Sequence, residues 1–308
     1  MLALTVAPSQ PGGLGLQEVD EPQPGPGEAL VEVRAVSLNR GEVRRLSDQP
    51  EGVVPGWDVA GTVVEQAADD SGPPAGARVV GLVQSGGWAR HVAVPTDSLA
   101  QIPDGLALAA AATLPVAGLT AYRTLALGGL LLGKRVLVTG GAGGVGRLAV
   151  QLAHRGGAHV TAVVGRPERG EGLEALGADE VVVGLEEEGP GLDHVLESVG
   201  GASLAAAVRR VTPHGMVACY GNSSGEPVTL SARDFYRGAY GARLQGFFLF
   251  ADIAREPASG DLGLLASLMA GGALDPQIDV EVSWQQPEEA LAALMDRRVN
   301  GKAVLHVD

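Results

Sequence analysis

Hydrophobic and polar positions follow two different spacings along the chain. The first hundred residues hold short β-branched runs at 29–36, 59–65, 78–82 and 89–94, which Gly- and Pro-rich turns separate. Runs of this length and composition are typical of strands, and the turns between them predict a small antiparallel β domain.

The chain from about 119 to 246 instead alternates short apolar runs with helical patterns. This alternation predicts an α/β fold built on a doubly wound parallel sheet. A last apolar run, 303–307, follows two further helical segments, and we expect this strand to return to the first domain. The predicted strands of the parallel sheet are 136–139, 160–164, 180–183, 194–198, 216–220 and 243–248, and the two later helices are 262–270 and 287–296.

The segment KRVLVTGGAGGVGRLAVQ joins a buried strand, a glycine turn and a helix start. Gly141, Gly143 and Gly146 fit the spacing G-x-G-x-x-G, which allows a tight turn, close approach of a pyrophosphate and close helix–strand packing. The helix is predicted to begin at about Val145, so its free amides and its positive dipole end would face a diphosphate. We therefore predict a dinucleotide site; the alternative is a turn that serves packing alone. The residues predicted to bind here are Gly141, Gly143, Gly144, Val145 and Gly146.

The end of the second strand of the sheet indicates which dinucleotide binds. An NAD site usually places Asp or Glu about 20 residues beyond the glycines, on the ribose hydroxyls. Here Gly165 takes that place, and Arg166 and Arg169 offer guanidinium groups that suit a phosphate. The sequence therefore favours NADPH over NADH. In the alternative interpretation both arginines are solvated surface residues and Glu168 contacts the ribose.

Charge and cysteine content limit the partners and the location. The 308 residues include 22 basic and 36 acidic side chains, and the net charge of −14 argues against affinity for nucleic acid or an anionic membrane. The single cysteine, Cys219, is predicted to be a buried strand residue, and it excludes a disulfide within the chain. The uncharged stretch 105–122 is rich in alanine, so we predict two buried helices broken at Pro115 rather than a membrane span. No secretion signal is visible, and we expect a cytoplasmic protein.

Short runs outside the glycine motif form a specific set: SLNRGE (37–42), PGWDVAG (55–61), GARV (76–79), SGGWA (85–89), LPVAGLTAY (114–122), LGAD (176–179), SVGG (198–201) and GNSSG (221–225). With these runs the chain resembles the medium-chain dehydrogenase/reductase superfamily, in particular its zinc-independent quinone oxidoreductase and enoyl reductase branch. The resemblance implies a GroES-like β-barrel catalytic domain, residues 1–117 and 248–308, split around a Rossmann domain, residues 118–247. It also implies a homodimer whose Rossmann sheets pair edge to edge through 243–250.

The resemblance also bears on the metal content of the site. Zinc-dependent relatives coordinate a catalytic metal with Cys or His at places that here read Asn39 and Gly56-Trp57-Asp58. The six histidines are scattered without ligand-like pairing, and one cysteine cannot form a four-sulfur site. We therefore predict no metal, and we expect Asp58 to be structural and paired with Arg78.

Without a Lewis acid, reduction of an electrophilic acceptor is favoured over oxidation of an unactivated alcohol. The resemblance implies hydride transfer from C4 of NADPH to a quinone or to the β-carbon of an α,β-unsaturated carbonyl. It implies that Asn39 is catalytic, as an amide donor to the substrate oxygen, and that Lys302 lies near the same cleft. The residues implied to hold the nicotinamide or line the dinucleotide cleft are Thr120, Ser198, Gly221, Asn222, Phe247, Phe248 and Leu249.

These roles have alternatives. Thr120 could be an ordinary helix-start residue, Asn39 a turn residue that satisfies its own backbone, and 247–250 sheet core or dimer edge. The whole chain could be a non-catalytic NADPH-binding or structural protein of the same fold. The substrate is open too, because 43–54 lacks the aromatic side chains that many quinone oxidoreductases place over the acceptor, and Gly184 stands where a cofactor-contacting tyrosine is often found. An aliphatic enone or a biosynthetic intermediate fits as well as a quinone.

Overall fold

The computed structural model describes residues 1–308, except for the side chain of residue 237. It divides into a first unit, Met1–Leu119 with Ile253–Asp308, and a second unit, Thr120–Asp252. The strands are β1 (Leu2–Val6), β2 (Leu14–Glu18), β3 (Glu28–Leu38), β4 (Asp58–Glu65), β5 (Arg78–Leu82), β6 (His91–Pro95), β7 (Leu99–Gln101), β8 (Arg135–Thr139), β9 (His159–Val164), β10 (Glu180–Val183), β11 (Leu192–Glu197), β12 (Val211–Cys219), β13 (Arg243–Gly246), β14 (Ile278–Ser283) and β15 (Lys302–His306). The helices are α1 (Arg40–Arg44), α2 (Leu108–Ala112), α3 (Leu119–Ala126), α4 (Gly144–Arg155), α5 (Gly201–Arg210), α6 (Leu249–Ile253), α7 (Ser259–Ala270) and α8 (Glu288–Met295).

The first unit is built on a sheet in the order β14-β15-β3-β4-β5-β7, with β6 also paired to β3 and a separate β1-β2 ribbon. Its ladders are antiparallel apart from β14-β15. Strand β15 pairs with β3, so the predicted return of the last strand is confirmed. Trp88 and Trp284 are fully buried in this core. Gly56 has a φ of 105°, and a Cβ there would collide with Trp88, so this turn requires glycine.

The second unit is a parallel sheet in the order β10-β9-β8-β11-β12-β13. The predicted doubly wound sheet is therefore confirmed. All residues of β8 after Arg135 are buried, as expected for a strand covered on both faces. The strand order reverses at β8 and β11, and ligands of such sheets bind at the carboxyl ends of the strands at this point.

Several predicted boundaries differ from the structure. Strand β12 begins five residues earlier than predicted, and β13 ends at Gly246 because α6 follows closely. The predicted break at Pro115 lies close to the observed one: α2 ends at Ala112, and after Thr113 a wide π-helical turn, Leu114–Gly118, begins and continues directly into α3. Proline is tolerated there because the first turn of a helix needs no intrahelical N–H bond. Among the described residues, no helix has both the length and the apolar character that crossing a membrane requires.

Candidate functional site

The glycine turn joins β8 to α4 in the second unit. Gly140 turns the chain with a φ of 63°, and α4 begins at Gly144, one residue before the predicted start. The Gly143 N–H donates to the Gly140 carbonyl at 2.9 Å, and the Gly141 N–H donates to the Val163 carbonyl of β9 at 2.9 Å. The first amides of α4 have no intrahelical acceptor, so they are available to an anion.

Gly143 and Gly146 of the motif differ in the space that a side chain at each position would find. A Cβ at Gly146 would collide with the Gly140 carbonyl oxygen and with Gly141, so glycine is needed for α4 to pack this closely. A Cβ at Gly143 would meet nothing nearer than the Gly140 carbonyl oxygen at 3.4 Å, an ordinary contact. The space over Gly143 therefore fits a group that must approach the backbone, such as a diphosphate.

The loop 165–172 follows β9 and carries the predicted phosphate-binding side chains. Gly165 is exposed, and a Cβ there would meet open space. Arg166 is 57% exposed and its Nε lies 3.7 Å from Glu168 Oε1, while Arg169 is half-buried. The loop therefore presents two guanidinium groups and no carboxylate at the position of Gly165, although Glu168 competes for Arg166.

The chain after β11 is fixed against the end of β8. The Ser198 N–H donates to Thr139 Oγ1 at 2.8 Å, and Ser198 Oγ donates to the Thr139 carbonyl at 3.2 Å. Glu197 is fully buried, and its carboxylate accepts the N–H groups of Val199 and Gly200 at 3.0 Å each. Sequence reasoning missed Glu197; its signal is an acidic residue that ends an apolar strand directly before Ser-Val-Gly-Gly.

The chain after β12 lies against the same loop. The Ser223 N–H donates to the Ser198 carbonyl at 3.0 Å, and a Cβ at Gly221 would lie 2.9 Å from that carbonyl oxygen. Asn222 is exposed and lies beside Gly200. The structure thus brings the predicted residues Ser198, Gly221 and Asn222 together at the carboxyl ends of β11 and β12.

Tyr220 is a second residue that sequence reasoning missed. Burial raises the pKa of Tyr220 above its usual range, and the Glu197 carboxylate adds to this shift, although the Ser198 side chain opposes it. The phenol therefore favours its protonated form.

The remaining predicted residues of the second unit lie on α3 and on the segment that follows β13. The Phe247 N–H donates to the carbonyl of the last residue of β12 at 2.8 Å. Phe248 is 59% exposed, and Leu249 is buried as the first residue of α6. Thr120 is buried on α3, where its carbonyl accepts Thr124 Oγ1 at 2.6 Å. Phe247 thus reaches the carboxyl edge of the sheet, whereas Thr120 is placed by a helix.

A buried polar cluster surrounds Asn39 in the first unit. Lys302 and Asp58 are 2% and 0% exposed, with 3.4 Å between Nζ and Oδ2. Lys302 Nζ also donates to Asn39 Oδ1 at 2.8 Å and to the Leu38 carbonyl at 3.1 Å. Asn39 Nδ2 donates to Asp58 Oδ2 at 2.7 Å and to Glu42 Oε1 at 3.2 Å. The amide nitrogen and the amide oxygen of Asn39 are therefore both engaged within this cluster.

Glu42 is the second buried carboxyl group of the cluster. Its Oε1 accepts the Asn39 N–H at 2.6 Å, which caps the start of α1. Its Oε2 is buried and has no hydrogen-bond partner among the described residues. Burial, and then the charge of Asp58, raise the pKa of Glu42 well above its usual range. This shift favours the neutral form of Glu42, which leaves the Lys302 ammonium to balance the charge of Asp58.

The predicted pairing of Asp58 with Arg78 is wrong. Asp58 lies opposite Leu82 in the β4-β5 ladder, whereas Arg78 lies at the other end of that ladder. Arg78 donates instead to the carbonyls of Pro103 and Leu106. The antiparallel register keeps the two side chains apart, so the partner of Asp58 comes from β15.

The two places that hold zinc ligands in zinc-dependent relatives have other contacts here. Asn39 and Asp58 are bonded to each other and to Lys302. The Trp57 ring lies 5.9 Å from the Arg45 guanidinium, in a cation–π contact. Among the described residues, no three His, Cys, Asp or Glu side chains come together in a group that could hold a metal ion.

Two protein families match the chain, one over part of each unit. The family "Alcohol dehydrogenase GroES-like domain" matches residues 25–104, and the family "Zinc-binding dehydrogenase" matches residues 144–262. Both matches agree with the architecture described above.

Relatives with named activities match over most of the chain. The chain is 32% identical to the chloroplastic quinone-oxidoreductase QR1 of Triphysaria versicolor, over 96% of this chain and 94% of that protein. It is 33% identical to prostaglandin reductase-3 of Bos taurus, over 84% of this chain and 73% of that protein. The solved structure of mycobacterial Rv1454c complexed with NADPH is similar with a TM-score of 0.83 and 25% identity, over 100% of both chains.

Proposed function

Because the chain belongs to the medium-chain dehydrogenase/reductase superfamily, in its quinone oxidoreductase and enoyl reductase branch, we propose that it reduces a quinone or an α,β-unsaturated carbonyl with NADPH and without a metal. The observation that carries this proposal is the glycine turn, which leaves space over Gly143 and presents free amides at the start of α4. Oxidoreductase chemistry is common to the named relatives, and the substrate class is our inference from them.

The cofactor is NADP(H), and the second unit supplies the groups that hold it. When bound, NADPH provides a hydride at C4 of its nicotinamide ring. The amides at the start of α4 hold the diphosphate, and Arg166 and Arg169 hold the 2′-phosphate. Gly165 supports NADPH over NADH, because it offers no carboxylate to the ribose hydroxyls. A mycobacterial structural neighbour is complexed with NADPH.

The carboxyl edge of the sheet is our proposed position for the nicotinamide half. Glu197 holds the backbone after β11, and Ser198 is fixed to Thr139, so this edge is rigid before any ligand arrives. Such preorganisation lowers the entropy cost of orienting a ring. The residues assigned to this half are Thr120, Ser198, Gly221, Asn222, Phe247, Phe248 and Leu249.

Asn39 is our candidate donor to the substrate oxygen. Its 2.7 Å bond to Asp58 and its bond to Lys302 orient the amide, while the longer 3.2 Å bond to Glu42 is the one that a carbonyl oxygen could replace. In an enone the hydride adds to the β-carbon, the π electrons move towards the oxygen, and the α-carbon takes a proton from solvent. In a quinone, one hydride and one proton give the hydroquinone.

A non-catalytic NADPH-binding protein is the second candidate function. The observation that favours it is the engagement of the Asn39 amide by Asp58, Glu42 and Lys302, which leaves substrate to compete for a donor. The two candidates predict the same cofactor binding and differ only in turnover.

We further propose a cytoplasmic homodimer that pairs through β13. This strand is the edge of its sheet, and its four residues are all exposed. Leu244 is 38% and Phe248 is 59% exposed, so a second copy would cover apolar surface as well as free backbone groups.

The test is consumption of NADPH by the purified protein in the presence of a chelator, with a panel of quinones and enones. We expect turnover with at least one acceptor, a higher KM for NADPH in Arg166→Ala, and a lower kcat in Asn39→Ala. The exposed Arg155→Ala on α4 is a control for loss of an arginine. Tight NADPH binding without turnover of any acceptor would contradict the reductase and leave the non-catalytic candidate.

A further inference from the structure

Helix α4 buries an arginine directly after the glycine motif. Arg147 is 6% exposed, and its guanidinium donates from Nη2 to the Glu171 carbonyl at 2.7 Å. A guanidinium is costly to remove from water unless hydrogen bonds replace those it loses. A bond of this length from a charged donor is among the strong ones. The buried position therefore has a definite partner, the backbone of the loop that follows β9.

Arg147 connects two parts of the candidate cofactor site within the second unit. Its N–H donates to the Gly143 carbonyl at 2.9 Å, so its backbone belongs to the glycine turn. Its side chain reaches Glu171 in the loop 165–172, which carries Arg166 and Arg169. The position of this loop relative to the turn thus depends in part on one side chain.

The loop also packs on a neighbouring strand, because a Cβ at Gly170 would lie 2.8 Å from the Val181 side chain of β10. Arg166 and Glu168 are exposed and their 3.7 Å ion pair lies within the loop itself. The Arg169 N–H donates to the Arg166 carbonyl at 3.1 Å, which is also a bond inside the loop. Contacts inside the loop shape it without linking it to the rest of the unit. The Glu171 bond to Arg147 links it to α4, next to the fully buried Leu173.

We propose that Arg147 is a positioning residue for recognition of the cofactor's 2′-phosphate. By holding the Glu171 carbonyl it keeps Arg166 and Arg169 at a fixed distance from the diphosphate-binding turn. NADPH needs both places at once, whereas NADH has no phosphate to place in the loop. Arg147 thus affects the preference for NADPH over NADH indirectly, through Arg166 and Arg169. This inference rests on the proposed NADP(H) binding.

The test compares Arg147→Met and Arg147→Lys with the exposed Arg155→Met, a control in the last turn of the same helix. Calorimetry gives Kd values for NADPH, NADH, 2′,5′-ADP and 5′-AMP without any acceptor present. Loss of a bond to a charged donor should weaken NADPH and 2′,5′-ADP by about tenfold or more, with NADH and 5′-AMP changed less than about twofold. Lysine keeps one donor on a charged group and should restore part of the loss. Arg155→Met should bind as the native protein does.

Hydrogen exchange of the ligand-free protein supplies the structural readout. Amides of 165–172 should exchange faster in Arg147→Met than in the native protein or Arg155→Met, while amides of β8 should be unchanged. Equal losses for NADPH and NADH, no loss for either, or unfolding of both Arg147 variants would overturn the proposal. Native protein that binds NADPH but turns over no acceptor refutes the reductase and leaves this inference standing. Native protein that prefers NADH refutes the inference.

Discussion

Replacing Lys302 by methionine should destabilise the first unit by about 3 kcal/mol, the lower end of the range for breaking a buried ion pair. Methionine is similar in length and has no charge, so the change leaves the fully buried Asp58 carboxylate without its ammonium. We expect the lower end because Asp58 keeps donors from Ser37 at 2.6 Å, Asn39 at 2.7 Å and the Val116 N–H at 2.9 Å. The Asn39 oxygen also loses its 2.8 Å donor.

Urea unfolding followed by tryptophan fluorescence measures this loss of stability in the first unit. The three tryptophans, Trp57, Trp88 and Trp284, all lie in the first unit. The chain has one other lysine, Lys134, whose Nζ donates to a carbonyl of the second unit at 2.6 Å. Its replacement by methionine is a matched control and should shift the tryptophan transition by less than about 0.5 kcal/mol.

A double variant separates the charge interaction from the loss of packing. In the native background, Asp58→Asn leaves Lys302 buried without a counter-charge, so it should cost more than in the Lys302→Met background. If Lys302→Met alone costs less than about 1 kcal/mol, the pair contributes no more than an exposed salt bridge. That result, or strict additivity of the two changes, would refute the described cluster.

Further changes test the other features. Glu42→Gln should remove a pH dependence of the free energy of unfolding. Native Glu42 keeps its proton to higher pH than Glu42 of the unfolded chain, so the free energy of unfolding falls by about 1.4 kcal/mol per pH unit between the unfolded pKa and the raised native pKa. Urea unfolding across that window checks this, and an unchanged slope would contradict the raised pKa of Glu42. Gly146→Ala should abolish NADPH binding or folding in calorimetry and circular dichroism, because its Cβ would collide with the Gly140 carbonyl; native-like binding would contradict the tight packing of α4. Leu244→Lys should convert the proposed dimer to monomer in light scattering, and an unchanged mass would exclude β13 as the interface.

The glycine turn and the parallel sheet were predictable because their signals are local. Close helix–strand packing demands glycine at position 146, and a strand buried on both faces demands an apolar run such as 136–139. Strand ends depend instead on partners. Val211 belongs to β12 because it pairs with Leu192, ahead of a register shift that separates it from the apolar run predicted as the strand. No pattern near Val211 carries that information.

The sequence indicated residues of the polar cluster, but not that they contact one another. Asn39 and Asp58 each lie in a run that supports the resemblance and Lys302 directly precedes a predicted strand, yet Lys302 is 263 residues from Asn39 along the chain. Periodicity indicates which side of a strand is buried and not which strand lies beside it. The Asp58–Arg78 prediction failed for this reason, because the two residues are near in sequence and apart in register.

The net charge of −14 reflects mainly exposed side chains and says little about the electrostatic field at the candidate sites. Surface charges are screened within about 10 Å at 0.1 M salt, whereas buried charges are screened much less. Arg166 is exposed and lies near Glu168, so its field on a ligand is weakened by both solvent and its neighbour. Arg147 and Lys302 are buried, and each donates a hydrogen bond to a backbone carbonyl in addition to its other contacts. The electrostatics of each unit therefore depend strongly on a few buried cations, and substitutions at these cations should have larger effects than substitutions at the more numerous exposed acids.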